Sequence, residues 1–197
     1  MKKLIGITGY ARSGKDTFYE RAAFHLSKEG KTATRIAFAD ALKKELDPLL
    51  KKHTNISAFT EDPKDKELIR PLLVTYGTDL RRKLNENCWI QSIQNKVIDH
   101  LNQNEFVFVT DVRFENEAKW IKMNNGILVR VEREGIGPAN HEEHRQAVRM
   151  RNNVHFNVCW PTFGHDDISK ADDYVVPTLA AILKNTPEVA NVIEEIM

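Results

Sequence analysis

The sequence predicts an α/β fold, in which helices cover both faces of a mainly parallel central sheet. Short apolar runs rich in β-branched residues alternate along the chain with longer segments whose apolar residues recur at helical spacing. Strands that alternate with helices form parallel sheets. The run at 105–110 is apolar along nearly its whole length, which is typical of a strand buried on both faces. With 197 residues, 41% of them hydrophobic, the chain can bury a sizeable core, and we expect a single domain over residues 1–197.

The first predicted strand, at residues 3–8, leads into a segment with the spacing of a phosphate-binding loop. Gly9 and Gly14 stand where the backbone must adopt conformations that a Cβ would forbid, so that several N–H groups can point at one anion. Lys15 follows as a positive charge for the terminal phosphates of a nucleotide. The helix that begins here adds its dipole and its free N–H groups. Thr17, in its first turn, offers a hydroxyl to an inner phosphate.

Asp16 stands where the common GxxxxGK pattern continues with a serine or threonine that holds Mg²⁺. A carboxylate is a hard oxygen ligand, so Asp16 can bind Mg²⁺ directly or through water. Alternatively, it is only a negative charge at a helix N-terminus, where the helix dipole favours it. We favour the metal role because the carboxylate directly follows the phosphate-binding lysine.

A second strand is predicted at 33–38, followed by a helix that opens at Asp40. Such a helix begins at the edge where open α/β sheets bind their ligands. Lys43 lies in the first turn of this helix, where it is either a solvated lysine or a contact to a substrate phosphate. The polar segment 53–65 is predicted to be a loop.

A third helix is predicted from Lys66 and is expected to end near 76–78. The basic cluster that follows contains Arg81, whose guanidinium group suits bidentate phosphate binding, although a solvated helix surface is the default interpretation. Trp89 heads a long amphipathic segment, and its first interpretation is packing.

The core strand at 105–110 delivers Asp111 and Arg113 at its carboxyl end. Asp111 stands where P-loop enzymes place the carboxylate that organises Mg²⁺ or the attacking group. An ion pair between Asp111 and Arg113 is the alternative, but two charges at the end of a core strand are costly unless they are used. A further strand at 127–131 carries Arg130 toward the same edge of the sheet.

The segment 134–171 is polar and irregular, and we predict that it forms a lid over the phosphates, because long loops in compact domains are usually functional. Its histidines lack the helical spacing with glutamate that marks a zinc enzyme. They are His141, His144, His155 and His165. Residues 172–177 are predicted to form a last short strand, and 179–197 a closing helix with a turn at 186–187.

The composition argues against several classes of protein. A formal charge of +1 gives no global basic field of the kind that duplex nucleic-acid binders carry, so no nucleic-acid partner is expected. Cys88 and Cys159 are too few for a disulfide framework and have no second Cys or His at zinc-ligand spacing. No stretch approaches the roughly 20 apolar residues of a membrane span, and the apolar run after Met1 is too short for a signal peptide. We therefore expect a cytoplasmic protein with no membrane partner.

These motifs together resemble those of the phage deoxynucleoside monophosphate kinases, a branch of the P-loop small-molecule kinases. The motifs that carry the resemblance are residues 12–17, 39–43, 77–80 with Trp89, and the group Asp111, Arg113 and Glu117. They occur in the same order as in that family and span most of the chain. The resemblance implies a P-loop kinase-type three-layer sandwich with a mainly parallel central sheet, helices on both faces and a lid region at about 134–171.

The resemblance also implies that the protein transfers the γ-phosphoryl group of ATP to a dNMP with Mg²⁺, in nucleotide supply for DNA synthesis. The residues expected to bind ATP are Ser13, Gly14, Lys15, Asp16, Thr17 and Arg130, with Asp16 also holding the metal. Those expected to bind the monophosphate are Lys43, Gly77, Thr78, Arg81, Trp89, Asp111, Arg113 and Glu117. The expected catalytic residues are Lys15, Asp111 and Arg113. A phage-encoded chain would act in the host cytoplasm, and a homodimer is left open.

The sequence leaves two other functions open. The animal-type phosphomevalonate kinases are similar, since they share a GKD loop and an Asp-x-Arg group after the core strand, and they also phosphorylate a phosphate group. The segment 77–80 with Trp89 favours the nucleotide. A nucleotide-dependent switch or DNA-packaging ATPase usually needs a strand that ends in Asp-Glu, whereas Asp111 is followed by Val112. ATP consumption with and without dNMP separates these classes, because a switch hydrolyses ATP regardless.

Overall fold

The computed structural model of the protein describes residues 3–184 and 190–191. The chain divides into two compact units. The sheet unit comprises Met1–Ile36 and Val97–Met197, and the helical unit comprises Ala37–Lys96. The expectation that residues 1–197 act as one domain stays a prediction.

A parallel sheet is the framework of the sheet unit. Its strands in the described residues are β1 (Leu4–Thr8), β2 (Ala33–Ile36), β3 (Phe106–Val109), β4 (Ile127–Arg133), β5 (Phe156–Trp160) and β6 (Ala190–Asn191). They lie side by side in the order β2-β3-β1-β4-β5-β6, and all neighbouring strands run parallel. Because β1 pairs with β3 and β4, the segments that follow β1 and β3 leave the same edge of the sheet next to each other.

In the described residues, at least one α-helix lies between each strand and the next, and three lie between β2 and β3. The α-helices are α1 (Lys15–Lys28), α2 (Phe38–Thr54), α3 (Pro63–Val74), α4 (Cys88–Asn102), α5 (Glu115–Met123), α6 (His141–Met150) and α7 (Asp172–Leu183). A π-helical stretch, Thr75–Arg82, continues α3, and 3₁₀ turns cover Arg151–Asn153 and His165–Ala171. No helix in the described residues is long and apolar enough to cross a membrane.

Helices cover both faces of the sheet, which confirms the predicted α/β sandwich. On one face, α1 and α7 bury Phe18, Leu26 and Val175 in a core with the inward side chains of the strands, such as Phe108. On the other face, α5 packs on β1 and β4. The approach is so close that a Cβ on Gly6 would lie 3.2 Å from Ile121 of α5. Burial of this apolar surface is the main stabilising contribution to the fold.

The helical unit has a smaller apolar core of its own. That core contains Leu46, Leu50, Ala58 and Ile69 from α2, α3 and the loop between them. The predicted loop at 53–65 is shorter than expected, because α2 runs to Thr54 and α3 begins at Pro63. Asp62 caps α3 by accepting hydrogen bonds from the N–H groups of Lys64 and Asp65.

Two predictions near the C-terminus are wrong. Residues 172–177, expected as a strand, form the start of α7, which buries Val175 against α1. Part of the predicted lid, Phe156–Trp160, is instead a strand of the central sheet, with alternate side chains buried. Residues 190–191 form β6, and the rest of the predicted closing helix beyond Lys184, with its turn at 186–187, lies outside the described residues.

Candidate functional site

The phosphate-binding loop predicted from the sequence connects β1 to α1. Its backbone has positive φ angles at Gly9 (143°), Arg12 (64°) and Gly14 (93°). A side chain at Gly9 would collide with the carbonyl oxygen of Val131 on β4. The loop therefore takes a compact path that requires glycine at both ends. Its N–H groups and the N-terminus of α1 lie at the carboxyl edge of β1, where such loops bind anions.

Lys15 lies across this loop. Its ammonium group donates hydrogen bonds to the carbonyl oxygens of Gly9 at 2.9 Å and Tyr10 at 2.7 Å. Burial lowers the pKa of Lys15, and the positive charge of Arg113 lowers it further. Three carboxylates oppose this shift, namely those of Asp16, Glu143 and Asp111. The lysine is thus close enough to all four charged groups for their fields to act on it.

The turn after β3 lies beside the loop because β1 and β3 are paired. Gly6 pairs with Val109, and one step further the N–H of Val112 donates to the carbonyl oxygen of Ile7 at 3.1 Å. Asp111 and Arg113 flank Val112 at the carboxyl end of β3, as the sequence predicted, and the pairing places them beside the carboxyl end of β1. The side chain of Arg113 is exposed, and that of Asp111 is half-buried.

Glu117 holds this turn in place. Its carboxylate is 1% exposed and accepts hydrogen bonds from the N–H groups of Arg113 at 2.8 Å and Phe114 at 3.0 Å. A buried carboxylate that caps the start of α5 in this way fixes the backbone from which Arg113 projects. Glu117 therefore acts on the turn from inside the protein, and direct contact with a substrate stays a prediction.

Asp16 has the exposure that a metal-binding carboxylate needs. Its side chain is 69% exposed in the first turn of α1 and is only loosely paired with Arg35, at 3.4 Å. Mg²⁺ usually takes one or two carboxylates together with substrate phosphates and water, so a single exposed carboxylate beside the loop fits this ion. Within residues 3–184 and 190–191, no group of three or more His, Cys, Asp or Glu side chains could hold a metal by itself.

The remaining predicted ATP-binding residues have different surroundings. Ser13 is fully buried, whereas Thr17 is half-buried in α1. Arg130 pairs in register with Thr8 at the end of β1, but its side chain is only 11% exposed and forms an ion pair with Glu132 at 2.6 Å. Arg130 is therefore near the loop, with its charge already matched by a neighbouring carboxylate.

Sequence reasoning missed two residues that contact the loop. The indole N–H of Trp160, at the end of β5, donates to the carbonyl oxygen of Ser13 at 2.9 Å. Glu143, in α6, accepts a hydrogen bond from the N–H of Ala11 at 3.0 Å. The alternation of apolar and other residues over 156–160 was the available signal for Trp160. No local pattern points from Glu143 to a loop 132 residues away.

In the helical unit, three of the predicted substrate-binding residues lie together. The indole N–H of Trp89 donates to the carbonyl oxygen of Gly77 at 3.2 Å, and Trp89 is 2% exposed. The guanidinium carbon of Arg81 lies 5.4 Å from the centre of a Trp89 ring, and Arg81 is paired with Glu45 at 3.2 Å. Trp89 is thus a packing residue that supports Arg81, and the guanidinium group is stacked rather than freely solvated.

The other two predicted residues of this unit are less constrained. Lys43 lies on α2 with its ammonium group 5.5 Å from the ring centre of Phe59, and Thr78 is half-buried in the π-helical stretch. An open pocket of about 380 Å³ lies beside Arg81. It is lined by Arg81, Leu84, Asn85, Cys88, Gln91 and Ser92.

Comparisons with known proteins identify kinases. A model of the family described as phosphomevalonate kinase matches residues 7–126, which include the phosphate-binding loop, the helical unit and Glu117. A curated protein of Acanthamoeba polyphaga mimivirus, described as "Putative deoxynucleotide monophosphate kinase", is 28% identical over 172 residues. This match covers 79% of the chain and 86% of the viral protein.

A solved structure also matches. An unliganded sugar kinase from Janibacter sp. HTCC2649 aligns with 91% of this chain and 98% of its own, at 9% identity and a TM-score of 0.40. The family model and the viral protein confirm the resemblance to a kinase, whereas a phage source stays a prediction. Because the family model matches more than half of the chain, the protein belongs to the phosphomevalonate kinase family and is a small-molecule kinase.

Proposed function

We propose that the protein transfers the γ-phosphoryl group of ATP to the phosphate of a deoxynucleoside monophosphate, giving ADP and a dNDP for DNA synthesis. The observation that carries the proposal is the register of β1 and β3, which sets the turn of Asp111 and Arg113 beside the loop of Lys15. The charge of Arg113 accordingly lowers the pKa of Lys15. A phosphate-binding lysine, an exposed arginine and two carboxylates at one sheet edge are the groups that phosphoryl transfer between two phosphates requires.

The loop and Lys15 act on ATP in this proposal. The loop N–H groups and the N-terminus of α1 bind the phosphates, and Thr17 offers its hydroxyl to an inner one. Lys15 leaves the carbonyl oxygens of Gly9 and Tyr10 to neutralise charge on the transferred group. Ser13 is buried and shapes the loop from inside, while Arg130 lies near the end of β1 with its charge paired to Glu132.

Arg113 binds the phosphate of the acceptor. Two anionic phosphates must approach each other before transfer, and a guanidinium group offsets their repulsion while it aligns the attacking oxygen. Glu117 fixes the backbone of Arg113, so the arginine is held ready for this role. Asp111, on the other side of Val112, orients the reacting groups in the same turn.

Asp16 is the proposed protein ligand of Mg²⁺, with Asp111 close by. When bound, Mg²⁺ supplies positive charge that neutralises the phosphates and favours their correct orientation. Asp16 is exposed and its pairing with Arg35 is loose, so its carboxylate is free to turn toward a metal.

The helical unit contains the residues proposed to recognise the rest of the acceptor. They are Lys43, Thr78 and Arg81. Trp89 packs against Arg81 and donates to the carbonyl oxygen of Gly77. The pocket beside Arg81 is within the usual range of small-molecule sites, and the side-chain amides of Asn85 and Gln91 line it. The amide of Asn85 donates to that of Gln91 at 2.8 Å, and two amides so paired keep further donors and acceptors that suit the edge of a base, which supports a nucleotide as acceptor. The length of the match to the viral deoxynucleotide monophosphate kinase also supports it.

Phosphomevalonate is the second candidate acceptor, and the family model is the observation that favours it. The chemistry at Lys15 and Arg113 would be the same, because both acceptors present a phosphate. The two acceptors differ in the rest of the molecule, since mevalonate phosphate has no base for the amide groups of Asn85 and Gln91 to recognise.

A coupled assay of ADP release tests the proposal. Each of the four dNMPs and mevalonate 5-phosphate is offered as acceptor with ATP and Mg²⁺, beside a control without acceptor. We expect release that depends on at least one dNMP. Release with mevalonate phosphate alone would select the second candidate, and equal release without acceptor would indicate a switch or ATPase.

A further inference from the structure

Glu143 joins the start of α6 to the phosphate-binding loop. One carboxylate oxygen, Oε1, accepts the hydrogen bond from the N–H of Ala11 at 3.0 Å. The other, Oε2, accepts one from the N–H of Ala139 at 2.6 Å. The N–H of Glu143 itself donates to the side chain of Asn140 at 2.8 Å, which caps α6 and fixes the backbone that carries the carboxylate.

The Ala11 N–H belongs to the loop that binds phosphate in the proposed function. Anions bind such loops through backbone N–H groups, and a carboxylate oxygen is an acceptor of the same kind as a phosphate oxygen. The negative charge of Glu143 also acts on Lys15, the cation that serves the same phosphates. Glu143 therefore offers the loop an anion that is part of the chain.

We propose that the Glu143 carboxylate competes with the phosphates of the nucleotide for the Ala11 N–H and weakens nucleotide binding until it leaves the loop. The inference rests on the proposed function of the loop. A phosphate and a carboxylate cannot share one N–H, and two negative charges in contact repel each other. Glu143 thereby lowers the affinity for the nucleotide. A residue that only stabilised the loop would not lower that affinity.

Glu142 provides a matched control. It is adjacent in α6 and carries the same charge, but its carboxylate pairs within the helix, with Arg145 and with Gln146 at 2.8 Å. Neutralising Glu142 therefore changes the net charge as much as neutralising Glu143, while the contact to Ala11 stays intact.

Isothermal titration calorimetry tests the inference with ATP and, separately, with tripolyphosphate as a probe that has no base. Glu143→Gln keeps the size of the side chain and removes its charge, and Glu143→Ala removes the contact altogether. We expect both variants to bind both ligands about tenfold more tightly than wild type. Glu142→Gln should bind them as wild type does. Unchanged or weaker binding by both Glu143 variants would overturn the inference.

Calorimetry together with the ADP-release assay separates this inference from the proposed function. If wild type binds ATP and tripolyphosphate but transfers no phosphoryl group to any offered acceptor, the proposed function fails and the Glu143 comparison still decides the inference. If transfer occurs and the Glu143 variants bind like wild type, only the inference fails. Binding of neither ligand by any variant would overturn both.

Discussion

The indole ring of Trp160 packs directly against Gly14. A Cβ on Gly14 would lie 2.6 Å from a carbon of that ring, well inside van der Waals contact. The indole N–H also donates to the carbonyl oxygen of Ser13. Trp160, the last residue of β5, thus packs against the phosphate-binding loop and leaves room only for glycine at position 14.

Gly14→Ala is expected to lower the free energy of unfolding by roughly 2–4 kcal/mol and to raise the KM for ATP, because the new methyl group collides with the ring and strains the backbone. Gly135→Ala is the matched control. Gly135 also has a positive φ, of 76°, but a Cβ there would meet no atom within 4 Å. Gly135→Ala should lower the free energy of unfolding by about 1 kcal/mol and leave the KM for ATP unchanged. Urea unfolding and steady-state kinetics measure both effects, and equal losses in the two variants would contradict the packing argument.

The sequence predicted the elements that build the loop, because their signals are local. Gly9, Gly14 and Lys15 have fixed spacing, and β1, β3 and β4 are apolar runs. The pairing of β1 with β3 then brings Asp111 and Arg113 beside the loop, as the strand–helix alternation led us to expect.

The elements that were predicted wrongly depend on contacts between distant residues. The β-branched pair Val175 and Val176 favours a strand locally, but burial of Val175 against α1 favours α7. The strand β5 has a short local alternation of its own, but the polar segment around it resembles a loop, and its pairing with β4 decides in favour of a strand. Glu143 belongs to the same class, since its partner Ala11 lies far away in the sequence.

Asp16→Asn should raise the Mg²⁺ concentration needed for half-maximal rate. The amide keeps the shape of the side chain but loses the charge that makes a carboxylate a strong ligand for a hard cation. Titration of the rate with Mg²⁺ at saturating ATP measures this. Glu20→Gln, on the same helix and exposed, is the control. An unchanged Mg²⁺ dependence would leave Asp16 with a helix-end role alone.

Arg113→Ala should raise the KM for the acceptor and lower kcat, with the KM for ATP much less affected. Loss of a guanidinium group that binds phosphate costs roughly 10- to 100-fold in kcat/KM for the acceptor. Arg113→Lys restores the charge but not the two-pronged geometry, so it should recover only part of the loss. Arg70→Ala, an exposed arginine of α3, is the control. If the KM for ATP rose instead, Arg113 would belong to the ATP site.

Asp172 should make the stability of the sheet unit depend on acid pH. Its carboxylate accepts a hydrogen bond from Nε of Arg21 at 2.7 Å and pairs with His25, which joins α7 to α1. The hydrogen bond with Arg21 lowers the pKa of Asp172. A lowered folded-state pKa contributes stability that is present above about pH 4 and is lost as the pH falls through the folded value.

Asp172→Asn should therefore lose about 1 kcal/mol of unfolding free energy at pH 7 and less near pH 3, where wild type has already lost part of the same contribution. Asp173→Asn, exposed in the same turn, controls for the helix dipole. Urea unfolding at both pH values measures the difference. The same loss at pH 3 and pH 7 would show that the charge of Asp172 is not what stabilises the contact.

Radiolabelled γ-phosphate, followed from ATP to a dNMP, tests whether Lys15 serves phosphoryl transfer to a phosphate acceptor. Lys15→Ala should reduce this transfer at least about 100-fold, because charge neutralisation at the γ-phosphate is lost. Its circular dichroism should match wild type, and Lys28→Ala, at the other end of α1, should retain full activity. Near-normal kcat in a folded Lys15→Ala variant would show that Lys15 does not serve phosphoryl transfer.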